Sequence, residues 1–247
     1  MARLAVVSGG GTGIGKAVAR RLAADGVDVI IVGRRAGVLE TAAKEINSSV
    51  GAERVTTATA DLTEPQQVRA VVETIAAAGP VDVLVNNAGT SLAFDPADLD
   101  NLAAVYTETF RLNVLTAVLL TEALVPHMAA PGGRIVAVSS IAGLRGSGPY
   151  GAAKAALHGW ALGLAQQVAP QGITVNVVAP GFVPDTEFWT GRLTPELVAD
   201  RAAQIPLGRA GTPEDVAAGI AHLTSAEAGW TTGQILQING GAVLGRG

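Results

Sequence analysis

Cysteine is absent from the 247 residues, which removes disulfide frameworks and thiolate chemistry, and the three histidines are too scattered for a zinc-like cluster, so no metal is expected. There is little charge of either sign. With a net charge of −4, a pI of about 5.4 and no basic block, the composition argues against nucleic acid and anionic membrane as partners. Long apolar runs are lacking too. The chain is 49% hydrophobic with a mean hydropathy of +0.37, yet Gly, Pro or a charge breaks every run before the ~20 residues a membrane span needs. The few apolar residues between Arg3 and Ser8 are too short for the hydrophobic region of a signal peptide. Cytoplasmic location is the resulting expectation. No Ser/Pro-rich linker, composition break or internal repeat divides the chain, so one domain over 1–247 is the economical reading.

What is present is an alternation of short apolar runs with amphipathic ones. Residues 4–8 predict a strand that ends in Gly9-Gly10-Gly11-Thr12-Gly13-Ile14-Gly15, and 16–25 predict a helix. Further strands are expected at 27–32, 54–58, 81–85, 133–139, 173–178 and 234–238, and helices at 38–46, 65–78, 98–128 and 150–168. Thr212-Pro213-Glu214-Asp215 has the cap, first-turn proline and early acids of another helix start. Strands apolar on both faces between helices predict an α/β fold, a Rossmann-type doubly wound parallel sheet of about seven strands with helices on both faces. A glycine turn between a first strand and a helix suits a phosphate, because backbone N–H groups at a helix start can be approached closely. Such a loop can also be a purely structural turn.

Tyr150 and Lys154 stand four residues apart on one predicted helix face, in a chain with two tyrosines and three lysines. A phenol is a poor acid/base at neutral pH, but a nearby ammonium stabilises the phenolate and should lower its pKa, making the pair a candidate general acid/base. Coincidental spacing on an amphipathic helix is the alternative.

The spacing Ser8-Gly9, three residues, Gly13-Ile14-Gly15 resembles the short-chain dehydrogenase/reductase family, with Ser8 where that family has Thr. The resemblance continues through Asp61, Asn86-Asn87-Ala88-Gly89, Asn113, Ser139-Ser140, Tyr150-x-x-x-Lys154, Pro180-Gly181 and Thr232-Gly233-Gln234 to Gly240-Gly241. It implies a catalytic set of Asn113, Ser140, Tyr150 and Lys154. Tyr150 would exchange the proton that hydride transfer to a carbonyl requires, Ser140 would orient the substrate oxygen, Lys154 would also hold the nicotinamide ribose, and Asn113 would anchor a water. A register shift would exchange Ser139 for Ser140.

The same resemblance implies a dinucleotide held by Gly9, Gly11, Thr12, Gly13, Ile14 and Gly15, by Asp61 and Leu62 at the adenine, and by Asn87, Ala88 and Gly89 along its length. Tyr150 and Lys154 would meet its ribose, and Pro180, Gly181, Val183 and Thr186 its nicotinamide end. Asp61 also reads as an ordinary helix cap, and Thr186 as a loop cap. At the end of the second strand Gly33-Arg34-Arg35 stands where an acid would accept a ribose 2′-hydroxyl; a guanidinium there suits a 2′-phosphate. NADP(H) is therefore expected over NAD(H), with Arg34 the main phosphate contact and Arg35 beside it, although an exposed arginine pair is also a common solvated turn.

The segment 182–206, with Phe182, Phe188, Trp189 and Leu193, is expected to form a substrate lid. Its Glu187 and Arg192 could add polar contacts. Ser140 and Tyr150 are ten positions apart, a shorter interval than is usual in the family, so the loop between them, with Arg145, should be tight. Arg145 could meet an anionic substrate group or simply be solvated.

The expected function is an NADP(H)-dependent carbonyl reductase or alcohol dehydrogenase acting on a small molecule. A 3-oxoacyl-acyl-carrier-protein reductase is the alternative, weakened because Pro131 and Gln171 replace basic residues used toward an acidic carrier protein. A non-catalytic dinucleotide sensor is a further one, disfavoured because Ser140, Tyr150 and Lys154 are all retained. The resemblance also implies a homotetramer, with a dimer next.

Overall fold

A computed structural model describes residues 2–245. Its centre is one all-parallel sheet of seven strands: β1 (Leu4–Ser8), β2 (Asp28–Gly33), β3 (Val55–Thr59), β4 (Val83–Asn86), β5 (Arg134–Val138), β6 (Thr174–Pro180) and β7 (Ile235–Ile238), in the order β3-β2-β1-β4-β5-β6-β7. Alternate residues of a strand face opposite sides. Ala5 and Val7 of β1 accordingly enter the core beneath helices α1 (Gly13–Ala24), α2 (Ala36–Val50) and α9 (Pro213–Thr224). Leu4 and Val6 enter the opposite core, beneath α3 (Pro65–Ala77), α5 (Thr116–Leu124) and α7 (Gly148–Val168). All five residues of β1 are buried, and burying each of the Leu4, Val6 and Val7 side chains contributes about 1.5–3 kcal/mol.

The strand order reverses between β1 and β4, so the loops after them diverge and leave a crevice at the carboxyl edge of the sheet. At that edge lie the glycine loop after β1, Arg34 and Arg35 after β2, Asp61 after β3, Asn87 to Gly89 after β4, Ser139 and Ser140 after β5 and Gly181 after β6.

Most elements fall within a few residues of expectation, and the departures have local causes. Helix α1 begins at Gly13 rather than at residue 16. Helix α2 runs on to Val50 and stops at Gly51, whose φ is +70°. Asn47, just past the expected end, turns its side chain to the start of β3, accepting from Val55 N at 2.8 Å and donating to Val55 O at 3.0 Å. β4 begins at Val83, because Val81 bridges to Met128. β6 extends to Pro180, paired opposite Ile238.

The single helix expected over 98–128 is α4 (Leu99–Phe110) joined to α5 through a π-helical turn at Arg111–Leu115, followed by a 3-10 turn at Val125–His127. Leu99–His127 is the one helical run among the described residues long and apolar enough to cross a membrane. Here Leu120 and Leu124 are fully buried in the core. Two short helices, α6 (Ala142–Arg145) and α8 (Pro195–Ala203), occupy segments expected to be loop and lid.

Candidate active site

The glycine loop lies folded against the end of β4. Gly9 N donates to Val32 O at 2.7 Å, and the Ser8 hydroxyl accepts from Asn87 N and Ala88 N at 3.0 and 3.1 Å. A hydroxyl is what position 8 requires, which is why Ser serves where the family has Thr. Asn87 returns the contact, donating through Nδ2 to Ser8 O and Gly9 O at 3.1 and 3.2 Å. Gly9 and Gly13 have φ of +65° and +51°, a region that favours glycine.

Gly15 departs from its expected role. It does not line the cleft; a Cβ there would come 2.2 Å from Gly9 O, so its service is to let α1 pack against the loop. Gly9, Gly11, Thr12, Gly13 and Ile14 do line the cleft. Helix α1 has no side-chain cap at Thr12 and no acid in its first turn, and its first intrahelical bond is Lys16 N to Thr12 O. The N–H groups of its first turn are thus without a side-chain partner, which suits an anionic pyrophosphate. This cradle fits the dinucleotide that the sequence implies.

A cleft of about 1070 Å³ runs from this loop across the sheet edge. Arg34, Arg35, Asp61 and Leu62 line one end, Asn87, Ala88 and Gly89 the floor, and Pro180, Gly181, Val183 and Thr186 the far wall. Asp61 does cap locally, accepting from Thr63 N and Oγ1 at 2.9 and 2.7 Å. Burial opposes its ionisation, but the Thr63 bonds, with Arg34 and Arg111 nearby, hold it below the usual carboxylate range. Thr186 rests its methyl group on the glycine loop, where a Cβ at Gly13 would lie 3.1 Å from Thr186 Cγ2, and its hydroxyl donates to Val183 O at 3.3 Å.

At the opposite end the cleft is lined by Ser140, Tyr150 and Lys154. The two serines divide. Ser139 is buried, donating to Lys154 O at 3.0 Å with His158 Nε2 2.7 Å away. Ser140 accepts from Ala142 N at 3.1 Å and lies near enough to Tyr150 to favour its ionised form. Of the pair, therefore, Ser140 is beside the phenol. The short connection between Ser140 and Tyr150 is taken up by α6 and by left-handed turns at Gly146 and Gly148.

Lys154 is buried, with Nζ 5.7 Å from the Tyr150 ring centroid and donating to Val138 O at 3.0 Å. The expectation that the ammonium lowers the phenol's pKa is corrected here. Burial pushes Tyr150 up to about 12, against the opposing effect of Ser140, and burial lowers Lys154 to about 8. Desolvation is the largest cause for both groups, because the fold withdraws the phenol and the ammonium from water.

Asn113 sits in the π-helical turn, a distortion that aims side chains inward. Its side chain donates to Thr90 O and Thr109 O at 2.7 and 2.9 Å and accepts from Thr90 N at 3.2 Å. It thereby ties the Gly89-Thr90 segment to α4. A Cβ on Gly89 would lie 2.4 Å from Asn113 Oδ1 and 3.0 Å from Lys154 Nζ, so Gly89 is wedged between them.

Rings of the 182–206 segment line this end in tilted and edge-to-face contacts. Phe188 lies 5.1 Å from Tyr150, Trp189 5.0 Å from Phe188, and Phe182 5.4 Å from Trp189, all as ring centroids. Two residues at the site escaped sequence reasoning. His158, whose pKa burial lowers, continues the four-residue spacing of Tyr150 and Lys154 along α7, a signal that was there to be read. Arg201 lies over Phe182 and Trp189; it belongs to α8, which the sequence did not reveal.

Residues 9–243 match the family described as enoyl-(acyl carrier protein) reductase. The 3-oxoacyl-[acyl-carrier-protein] reductase FabG of Escherichia coli K12 is 37% identical over 98% of each chain. Galactitol 2-dehydrogenase (L-tagatose-forming) of Cereibacter sphaeroides is 34% identical over 96% of this chain and 93% of its own. Among solved structures, the RhlG/NADP active-site complex of Pseudomonas aeruginosa superposes with a TM-score of 0.88 at 30% identity, covering 97% of this chain and 96% of that one. A parallel seven-stranded sheet, a glycine loop at its switch point and full-length relatives of this kind give one conclusion: the chain belongs to the short-chain dehydrogenase/reductase family of NAD(P)-dependent oxidoreductases.

Proposed function

We propose that this protein is an NADP(H)-dependent reductase of a ketone, or dehydrogenase of the matching secondary alcohol, with 1–247 as one catalytic domain and 182–206 as its lid. The observation that carries this reading is the convergence of Ser140, Tyr150 and Lys154 at one end of a cleft whose other end is an uncapped helix N-terminus beside Arg34 and Arg35. When bound, the nicotinamide supplies or accepts the hydride. The Ser140 hydroxyl donates to the carbonyl oxygen and holds it toward Tyr150. The Tyr150 phenol, kept protonated by burial, donates its proton as negative charge develops on that oxygen. Lys154 places a positive charge under the phenol and favours the phenolate that remains. Asn113, through Thr90, fixes the wall beside Lys154. Arg34 is the choice for the 2′-phosphate because Arg35 is engaged by Glu187, and a relative solved with NADP supports that cofactor.

The 37% identical relative favours a second reading, reduction of a 3-oxoacyl group on a carrier protein. A homotetramer, with a dimer next, is supported by exposed apolar side chains on two faces: Tyr106, Phe110, Leu115 and Leu162 about α4 and α7, and Trp230 and Leu236 about β7. Gly159 and Gly163 of α7 face open space, where another helix could approach closely.

The test is oxidation of NADPH and NADH against an acetoacetyl thioester, a vicinal diketone and a cyclic ketone, with Tyr150→Phe as the blank. Turnover with NADPH is expected, and a fall of about 10²–10⁴-fold in the variant. Turnover that survives Tyr150→Phe would reject its role, and only monomer in sedimentation at micromolar concentration would reject the assembly.

A further inference from the structure

The cleft is far more basic than the chain that forms it. Six cationic side chains line it, Arg34, Arg35, Arg145, Lys154, Arg192 and Arg201, against two carboxylates, Asp61 and Glu187, in a chain of net charge −4. The excess is concentrated at one end. Both carboxylates lie at the dinucleotide end, where Glu187 pairs with Arg35 and Asp61 lies near Arg34. Around Ser140, Tyr150 and the lid rings the one carboxylate that lines the cleft is that of Glu187, turned to Arg35 and Thr12, and among the described residues no carboxylate forms an ion pair with Arg145, Arg192 or Arg201.

Neutral groups hold these three arginines instead. Arg145 donates to Ala242 O. Arg192 donates to Ser91 O at 2.9 Å and stands 5.6 Å over the Phe188 ring. Arg201 stands 5.3 Å over Phe182 and 5.0 Å over Trp189. A guanidinium stacked on a ring face is fixed in plane and keeps in-plane N–H donors for an acceptor. Phe188 touches both Tyr150 and Arg192, so one ring separates the phenol from that guanidinium. Cations without counterions in a concave, ring-lined cleft concentrate anions there, and a charge-assisted bond to a carboxylate or phosphate is the strongest they can form.

We propose that the substrate is a ketone, or the matching secondary alcohol, that carries an anionic group on an apolar body. Its carbonyl lies at Ser140 and Tyr150, its body against the lid rings, and its carboxylate or phosphate is taken by Arg192 and Arg201, with Arg145 across the mouth. The inference rests on the reductase reading. The dinucleotide does not account for these arginines, because its phosphates belong at the glycine loop, at the other end of the cleft.

The experiment uses methyl ketones of increasing chain length ending in a carboxylate, each compared with its methyl ester and with the phosphate-ended analogue, and a neutral diketone as reference. Wild type is compared with Arg192→Met, Arg201→Met and Arg201→Lys. The carboxylate or phosphate of the right length should exceed its ester in kcat/KM by about tenfold or more, mainly through KM. Each Met variant should collapse that ratio, Arg201→Lys should recover part of it, and added salt should erode it. The carboxylate and phosphate arms tell which anion is preferred. Equal rates for acid and ester alongside diketone turnover would overturn the inference and leave the reductase reading standing. Calorimetric titration covers the remaining cases. If no ketone turns over but the anion binds about tenfold tighter than its ester in an Arg201-dependent way, the reductase reading falls and the anion site stands. Neither turnover nor preferential binding would overturn both.

Discussion

The Arg35 guanidinium grips the Glu187 carboxylate with two bonds, Nη2 to Oε2 at 2.6 Å and Nη1 to Oε1 at 3.3 Å. The Thr12 hydroxyl donates to the same carboxylate at 3.3 Å. The 182–206 segment is thus clasped to the glycine loop and to the turn after β2 across the cleft. Arg35, by its hydrogen bond, holds Glu187 below the usual carboxylate range, so the clasp persists through neutral pH.

Glu187→Gln removes this clasp. Because both partners are more than half exposed, the change should raise the dissociation rates of NADPH and NADH alike by only about two- to fivefold, read by stopped-flow fluorescence. A gain in NADPH affinity alone would instead show that the carboxylate competes with the 2′-phosphate for Arg35.

Arg34→Ala separates the two arginines. If Arg34 holds the 2′-phosphate, the ratio of NADPH to NADH affinity should fall by about tenfold or more, while Arg35→Ala shifts that ratio far less. Equal losses in both variants would assign the phosphate to the pair.

Lys154 gives the fold itself a pH dependence. Its pKa falls from 10.5 in the unfolded chain to about 8 in the fold. The unfolded state therefore holds more protons between those values, and stability rises with pH across that window. Below about pH 8 the full cost of the buried ammonium is present, on the order of 3 kcal/mol. Denaturant unfolding of wild type minus Lys154→Met should show this slope between pH 8 and 10.5, and a flat difference would refute it. Tyr150 acts in the opposite sense at higher pH, since its raised pKa makes stability fall from about pH 10 to 12.

Gly89→Ala and Gly15→Ala separate catalysis from packing. A Cβ at Gly89 meets Asn113 Oδ1 and Lys154 Nζ, so kcat should fall with cofactor affinity changed less. A Cβ at Gly15 meets the Gly9 carbonyl at 2.2 Å, which should cost about 1–3 kcal/mol of stability and weaken cofactor binding through the displaced loop. Thermal unfolding and cofactor titration distinguish the two.

Repeating local pattern made the sheet and the site's skeleton legible in sequence. Alternating apolar runs gave seven strands, the glycine loop marked the first turn, and the four-residue interval put Tyr150 and Lys154 on one face of α7. These depend on short continuous apolar runs, on φ/ψ preference and on the 3.6-residue helical period, which a few neighbours suffice to specify. Tertiary structure alone decided the rest. The π-helical turn that aims Asn113 at Thr90, the burial that drives Tyr150 and Lys154 in opposite directions, the wedge at Gly89 and the Arg35–Glu187 clasp across 152 residues all arise where segments distant in the chain are packed together. Hydrogen-bond partners and desolvation are properties of that packing, and no residue's neighbours in sequence contain them.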